Sequence, residues 1–205
     1  MHHSLFHAAA LGGTAFDRKG IPPFAALRDV WAQIWRKKIP FQQPDVPTLY
    51  IASPLSGTVR VLNWIDDPIF SSEALGKGCA IEPASGEVYA PFAGVVSQLA
   101  ETGHAIGITG ENGVELLIHV GMDTIELAGR YFEPQVKMGD AVEPGQLLLR
   151  FEMQSIAAAG YSLTTPVVVT NTDDYSDVHL LCGGKTVAGQ ELLAVVSASQ
   201  LHTGI

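Results

Sequence analysis

The chain has 205 residues, of which 47% are apolar and 16% charged, with a net charge of −9 and two cysteines. No apolar run reaches the roughly 20 residues that span a bilayer, and no charged n-region leads a long apolar run as in a secretory signal. Cys79 and Cys182 lie far apart beside apolar or glycine neighbours; buried free thiols are the expectation, not a disulfide or a Cys-x-x-Cys metal site. A cytoplasmic protein with one domain and an appendage fits these bounds.

Charge divides the chain. Residues 1–45 hold six Lys/Arg and three Asp/Glu, whereas 46–205 hold six and eighteen. A body so acidic argues against nucleic acid and suits a basic protein partner.

Residues 1–22, with Gly12-Gly13 and Pro22-Pro23 marking their end region, read as a flexible tail despite His2, His3 and His7. An amphipathic helix is expected over 23–38. Phe24, Leu27, Val30, Trp31, Ile34 and Trp35 form one stripe, and Arg36-Lys37-Lys38 favour its C-terminus. Such a face needs burial, and the candidates are the chain's own β body, an anionic membrane surface and a partner protein. Pro40, Pro44 and Pro47 mark a stiff linker over 39–47.

From 48 to 198 short β runs alternate with turn residues about every 8–12 positions, the pattern of a sandwich or barrel. Two phrases recur. Ala52–Val59 echoes Ala90–Val96, and Gly139–Leu148 echoes Gly184–Leu193. The expected fold is all-β, an antiparallel sandwich with internal duplication, preceded by the short N-terminal helix. One further helix is expected near Met153–Ala159, and 199–205 read as a C-terminal tail.

The run Val114-Glu115-Leu116-Leu117-Ile118-His119 reads as a buried strand that ends on an imidazole, with Gly121 two residues beyond. His104 stands in another strand-like run, and two such strands side by side would bring the rings together. Three chemistries use the pair. An imidazole can carry a phosphoryl group near neutral pH, helped by a second imidazole or a hydroxyl such as that of Thr102. His104, His119 and Asp123 could hold zinc, as in a peptidase, although a catalytic site wants a further ligand. A biotinyl or lipoyl carrier would share the turn phrases, but Gln154 stands where such a module needs a lysine.

The order of several phrases resembles the glucose-type enzyme IIA domain of the bacterial phosphoenolpyruvate-dependent sugar phosphotransferase system. They are Asp67-Pro68-Ile69-Phe70, Gly76–Pro83, Ala90–Gly94, Thr102-Gly103-His104-Ala105, Gly113–Thr124 and Leu163–Asn171. The resemblance covers about 49–196. It implies that His119 accepts phosphate on Nε2 from the histidine phosphocarrier protein and passes it to a cysteine of a IIB domain of a sugar permease. It implies that the Gly121 carbonyl fixes the His119 tautomer, that Thr102 orients His104, and that Asp123 lies at the rim. No cofactor is required, although zinc could be shared by His104 and His119 with a partner. Where family members carry phenylalanines around the site, Ala100, Ile106 and Leu117 stand here; these, with Val120, are the expected partner surface. A regulatory binding protein of the same fold and a zinc peptidase of related architecture remain the alternatives.

Overall fold

A computed structural model describes residues 48–198. The tail at 1–22, the helix at 23–38, the linker at 39–47 and the tail at 199–205 lie outside the described residues. The strands are β1 (Thr48–Ala52), β2 (Gly57–Val61), β3 (Lys77–Pro83), β4 (Glu87–Tyr89), β5 (Gly94–Leu99), β6 (Ala105–Gly110) and β7 (Glu115–His119). They continue with β8 (Phe132–Pro134), β9 (Ala141–Val142), β10 (Leu147–Phe151), β11 (Thr165–Val169), β12 (Tyr175–Leu180), β13 (Gly184–Thr186) and β14 (Glu191–Ser197). Helices α1 (Pro68–Ser71) and α2 (Met153–Ala158) interrupt them. The second is the short helix the sequence announces; the first is not foreseen.

One antiparallel sheet runs β13-β2-β3-β11-β7-β6-β5-β9, and two smaller ones run β1-β14-β12 and β4-β10-β8. The large sheet is a palindrome of equivalent strands: β13 answers β9, β2 answers β5, β3 answers β6 and β11 answers β7. The registers agree. Thr186 opposes Gly57 as Val142 opposes Gly94. Cys79 opposes Val167 as Ile106 opposes Ile118. At the centre Ile118 faces Val167, its own counterpart.

The echoed turns also repeat their hydrogen bonds. Ser53 N donates to Gln190 O at 2.7 Å and Gly189 N to Ser53 O at 2.9 Å; Ala90 N donates to Gln146 O and Gly145 N to Ala90 O, both at 2.8 Å. The duplication expected from the repeated phrases is thus a duplication of backbone pairing. One half, β4 to β10, is continuous in sequence. The other is split around it, and its ends meet where Thr48 of β1 pairs with Val196 of β14.

β-branched and leucine side chains fill the space between the sheets. Ile51, Ile81, Ile108, Leu116, Leu148 and Val167 are all essentially without solvent contact. Fully burying each such side chain stabilises by about 1.5–3 kcal/mol. Cys79 joins them at 0% exposure, whereas Cys182 is half-buried; both thiols are free.

Candidate active site

β7 delivers His119. Along this strand Leu116 and Ile118 point into the core, while Leu117 and His119 stand half-exposed on the other face, the period-2 alternation of a pleated strand. The strand is held on both sides, by β6 and by β11, so the imidazole sits on rigid backbone. Pro166 explains where the strand stops. Ile118 is the last β7 residue paired with β11, opposite Val167; the next position on β11 is Pro166, which has no N–H to give.

Beyond His119 the chain must turn sharply. Gly121 has φ +77°, and a Cβ there would lie 2.4 Å from Thr124 Cγ2 and 2.6 Å from Ser162 O. The turn is locked by Thr124 Oγ1 donating to Val120 O at 2.6 Å and Met122 N donating to Ser162 O at 3.1 Å. So placed, Gly121 O stands 2.9 Å from His119 Nδ1. A carbonyl only accepts, so Nδ1 carries the proton and Nε2 keeps its lone pair.

His104 precedes β6. The turn before it needs Gly103 at φ +71°, where a Cβ would press to 2.8 Å from Pro134 Cγ. Ala105 pairs with His119 across β6 and β7, and Val120 N donates to His104 O at 2.8 Å. The two rings meet with centroids 4.7 Å apart, nearly perpendicular at 81°. Thr102 Oγ1 lies 2.5 Å from His104 Nδ1. When this hydroxyl donates, the ring proton sits on Nε2. Among the described residues, both imidazoles therefore leave Nε2 as the nitrogen without a protein partner.

Both rings are biased toward the neutral form. Burial pushes His104 down to about 4, with the neighbouring His119 adding to the effect. Burial also lowers His119, against the Gly121 carbonyl bond and the charges of Asp67 and Asp123, which raise it. At neutral pH the pair is uncharged, the state in which an imidazole nitrogen is a nucleophile.

Thr102, Gly121, His104 and His119 thus come together as the sequence indicates. Asp123 is exposed in a left-handed conformation, φ 58°, and acts on His119 through its charge. The partner surface needs correction. Leu117 and Ala100 are half-exposed, but Ile106 and Val120 are 1% and 0% exposed and belong to the core. Register decides this: Ile106 opposes Ile118, on the face away from His119. The zinc set of two histidines and Asp123 is not assembled either. No three His, Cys, Asp or Glu side chains gather to hold a metal among the described residues.

Two rings were missed. Phe70 packs against His119 at 5.4 Å between centroids, and Phe132 against His104 at 6.3 Å. Phe70 had a signal: Asp67-Pro68 is a helix-start pair, an N-cap followed by proline at N1. Phe132 had none, since it reaches the site from β8, far along the chain. Exposed Ile69 and Ile125, at 54% and 61%, extend the apolar ground on the segments that frame the pair.

The family described as "phosphoenolpyruvate-dependent sugar phosphotransferase system, EIIA 1" matches residues 49–175. The chain is 49% identical over 144 residues to the PTS system beta-glucoside-specific EIIBCA component of Dickeya chrysanthemi, covering 70% of this chain and 23% of that protein. It is 40% identical over 139 residues to the PTS system glucose-specific EIIA component of Bacillus cereus, covering 68% of this chain and 84% of that protein. Among solved structures, the glucose permease IIA from Mycoplasma capricolum aligns with a TM-score of 0.68 and 31% identity, over 72% of this chain and 95% of that one. The chain therefore spans less than a quarter of the beta-glucoside relatives but most of the glucose-specific ones. With its histidine pair on a duplicated β-sandwich, the chain belongs to the EIIA 1 family of the phosphoenolpyruvate-dependent sugar phosphotransferase system.

Proposed function

We propose that this protein is a phosphoryl relay. His119 Nε2 attacks the phosphorus of a phosphohistidine on the histidine phosphocarrier protein. The carrier's P–N bond breaks and its imidazole leaves, while a P–N bond forms on His119. A cysteine thiolate of a IIB domain then attacks the same phosphorus, and the imidazole of His119 departs. The phosphoryl oxygens need donors, and the Nε2–H of His104, on the ring beside His119 and oriented through Thr102, supplies one. The observation that carries the reading is the 2.9 Å contact of His119 Nδ1 with Gly121 O, which leaves Nε2 free as the nucleophile.

Leu117 and Ala100 offer apolar contact beside the rings, and Asp67 and Asp123 supply negative charge near His119. A basic partner surface complements this ground. The tryptophan stripe within 24–38 supports a further placement beside anionic lipid, which sedimentation with anionic vesicles tests against a chain starting at Thr48.

The relay is tested by incubation with phosphoenolpyruvate, enzyme I and the phosphocarrier, followed by intact mass. One acid-labile phosphate is expected on the wild type and none on His119→Ala. A phosphate that persists in the variant overturns the assignment.

A further inference from the structure

We propose that Asp67 is a positioning residue for His119: by capping helix α1, its carboxylate holds the Phe70 ring against the imidazole that takes the phosphoryl group. The proposal rests on the relay reading for its functional consequence, though not for its geometry.

Helix α1 has only four residues, Pro68–Ser71. A single turn fixes several backbone torsions for little hydrogen bonding, so it does not persist on its own propensity. Asp67 supplies what is lacking. Its Oδ1 accepts from Ile69 N at 2.8 Å and from Phe70 N at 3.2 Å. Its own carbonyl accepts from Ser71 N at 2.9 Å and Ser71 Oγ at 2.6 Å. Pro68 sets the first helical φ without exposing another donor. Four hydrogen bonds of this one turn therefore converge on one residue.

Phe70 is the residue whose amide the cap secures, and its ring is the useful product. It is 7% exposed, packed with Leu62, Ile65, Ala80 and Val168, and with Met122 against them. Its centroid lies 5.4 Å from that of His119, tilted by 59°. The torsion that spins an imidazole about its Cβ–Cγ bond is broad. The Gly121 carbonyl ties one ring atom, and Phe70 and His104 are the rings that flank the rest. Loss of the Phe70 contact would leave Nε2 free to wander, and misplacement of a reacting atom by about 1 Å can cost around a hundredfold in rate.

Asp67 also acts on His119 by charge. A variant series separates cap from charge. Asp67→Asn keeps an oxygen acceptor and removes the charge; Asp67→Ser keeps a shorter cap; Asp67→Ala removes both. In the free protein, ring-proton contacts between Phe70 and His119 and the ¹⁵N shifts of His119 report position and tautomer. In the relay assay, the rate at saturating phosphocarrier is separated from the carrier concentration giving half that rate.

Asn and Ser are expected to keep the ring contact, the Nδ1–H tautomer and a saturating rate within about twofold of wild type. Ala is expected to lose the contact, mix the tautomers and lower the saturating rate at least tenfold, with its thermal transition retained. Phe70→Leu should reproduce the Ala result with α1 still capped. Equal rises in half-saturating concentration in all three Asp67 variants, at unchanged rate and ring contact, would show that the carboxylate acts by charge alone and overturn the proposal. So would a Phe70→Leu variant with wild-type rate. A wild type that takes no phosphate overturns the relay reading instead, and the ring contacts and shifts of the free protein still decide the positioning.

Discussion

The two halves of the sandwich share a backbone plan and differ in what stands at one pair of positions. On the continuous half, His119 follows Ile118 and His104 lies two residues before Ile106. The equivalents on the split half are Val168, after Val167, and Lys77, two residues before Cys79. His119 is half-exposed; Val168 is 1% exposed, sealed under Leu62, Ile65 and Phe70. The connection explains the difference. Between β5 and β6 the chain turns in residues 100–104, whereas between β2 and β3 residues 62–76 fold back as a 3-10 turn and α1. The scaffold offers the same perch twice. A short turn leaves one perch open for chemistry, and a long one roofs the other and sends Phe70 across to the open side.

The comparison breaks hardest at Val168. Val168→Asp places a carboxylate in a dry cluster, at a cost on the order of several kcal/mol, so the thermal transition should collapse or be lost. His119→Ala on the open perch replaces a half-exposed ring and introduces no charge, so it should move the transition far less, by only a few degrees, while abolishing labelling. Thermal melts of both variants check the contrast; equal losses would deny it.

His104 comes next. His104→Gln keeps an amide donor, so His119 should still take phosphate, but transfer onward to the IIB cysteine should slow by roughly ten- to a thousandfold. Rapid-quench transfer assays read this directly. An unchanged rate would make His104 only structural.

The same residue gives the open half a pH signature. With its pKa lowered from 6.5 to about 4, His104 binds fewer protons folded than unfolded between those values. Its contribution to stability is present above about 6.5 and is lost as pH falls toward 4, flattening below. The loss is at most about 3 kcal/mol. His104→Gln should shrink this acid dependence, as denaturant midpoints at stepped pH would show.

The smallest effect is expected at the rim. Leu117→Asp should leave the fold intact, because Leu117 is half-exposed, and weaken association with the phosphocarrier severalfold. Titration calorimetry measures it; loss of the thermal transition would place Leu117 with the core.

Most of this was legible in sequence for physical reasons. Echoed Gly and Pro phrases mark turns, and turns fix register, so the duplicated sheet could be anticipated. His119 was readable as the end of its strand, whereas His104, read as part of a strand-like run, lies in the turn just before β6, and the roles of Thr102 and Gly121 followed from the family resemblance. Alternation accounts for Val120, which follows His119 and turns to the opposite face; it does not account for Ile106, which is buried two residues after His104 because His104 lies in the turn before β6, where strand parity does not reach. Phe132 was invisible because its contact with His104 is made across the sandwich, which no local pattern encodes. The chemistry of α1 lay in two letters, Asp67-Pro68, whose capping meaning is local but whose reach to His119 is not.

The pairing of Thr48 with Val196 has an architectural consequence. The described body is entered and left at one point, on the small sheet β1-β14-β12. Segments joined at either end share one anchorage and pull on the same pair of strands. Neither strand belongs to the eight-stranded sheet that carries His119. A pull at either end is therefore taken first by a sheet other than the one that carries the His119 imidazole.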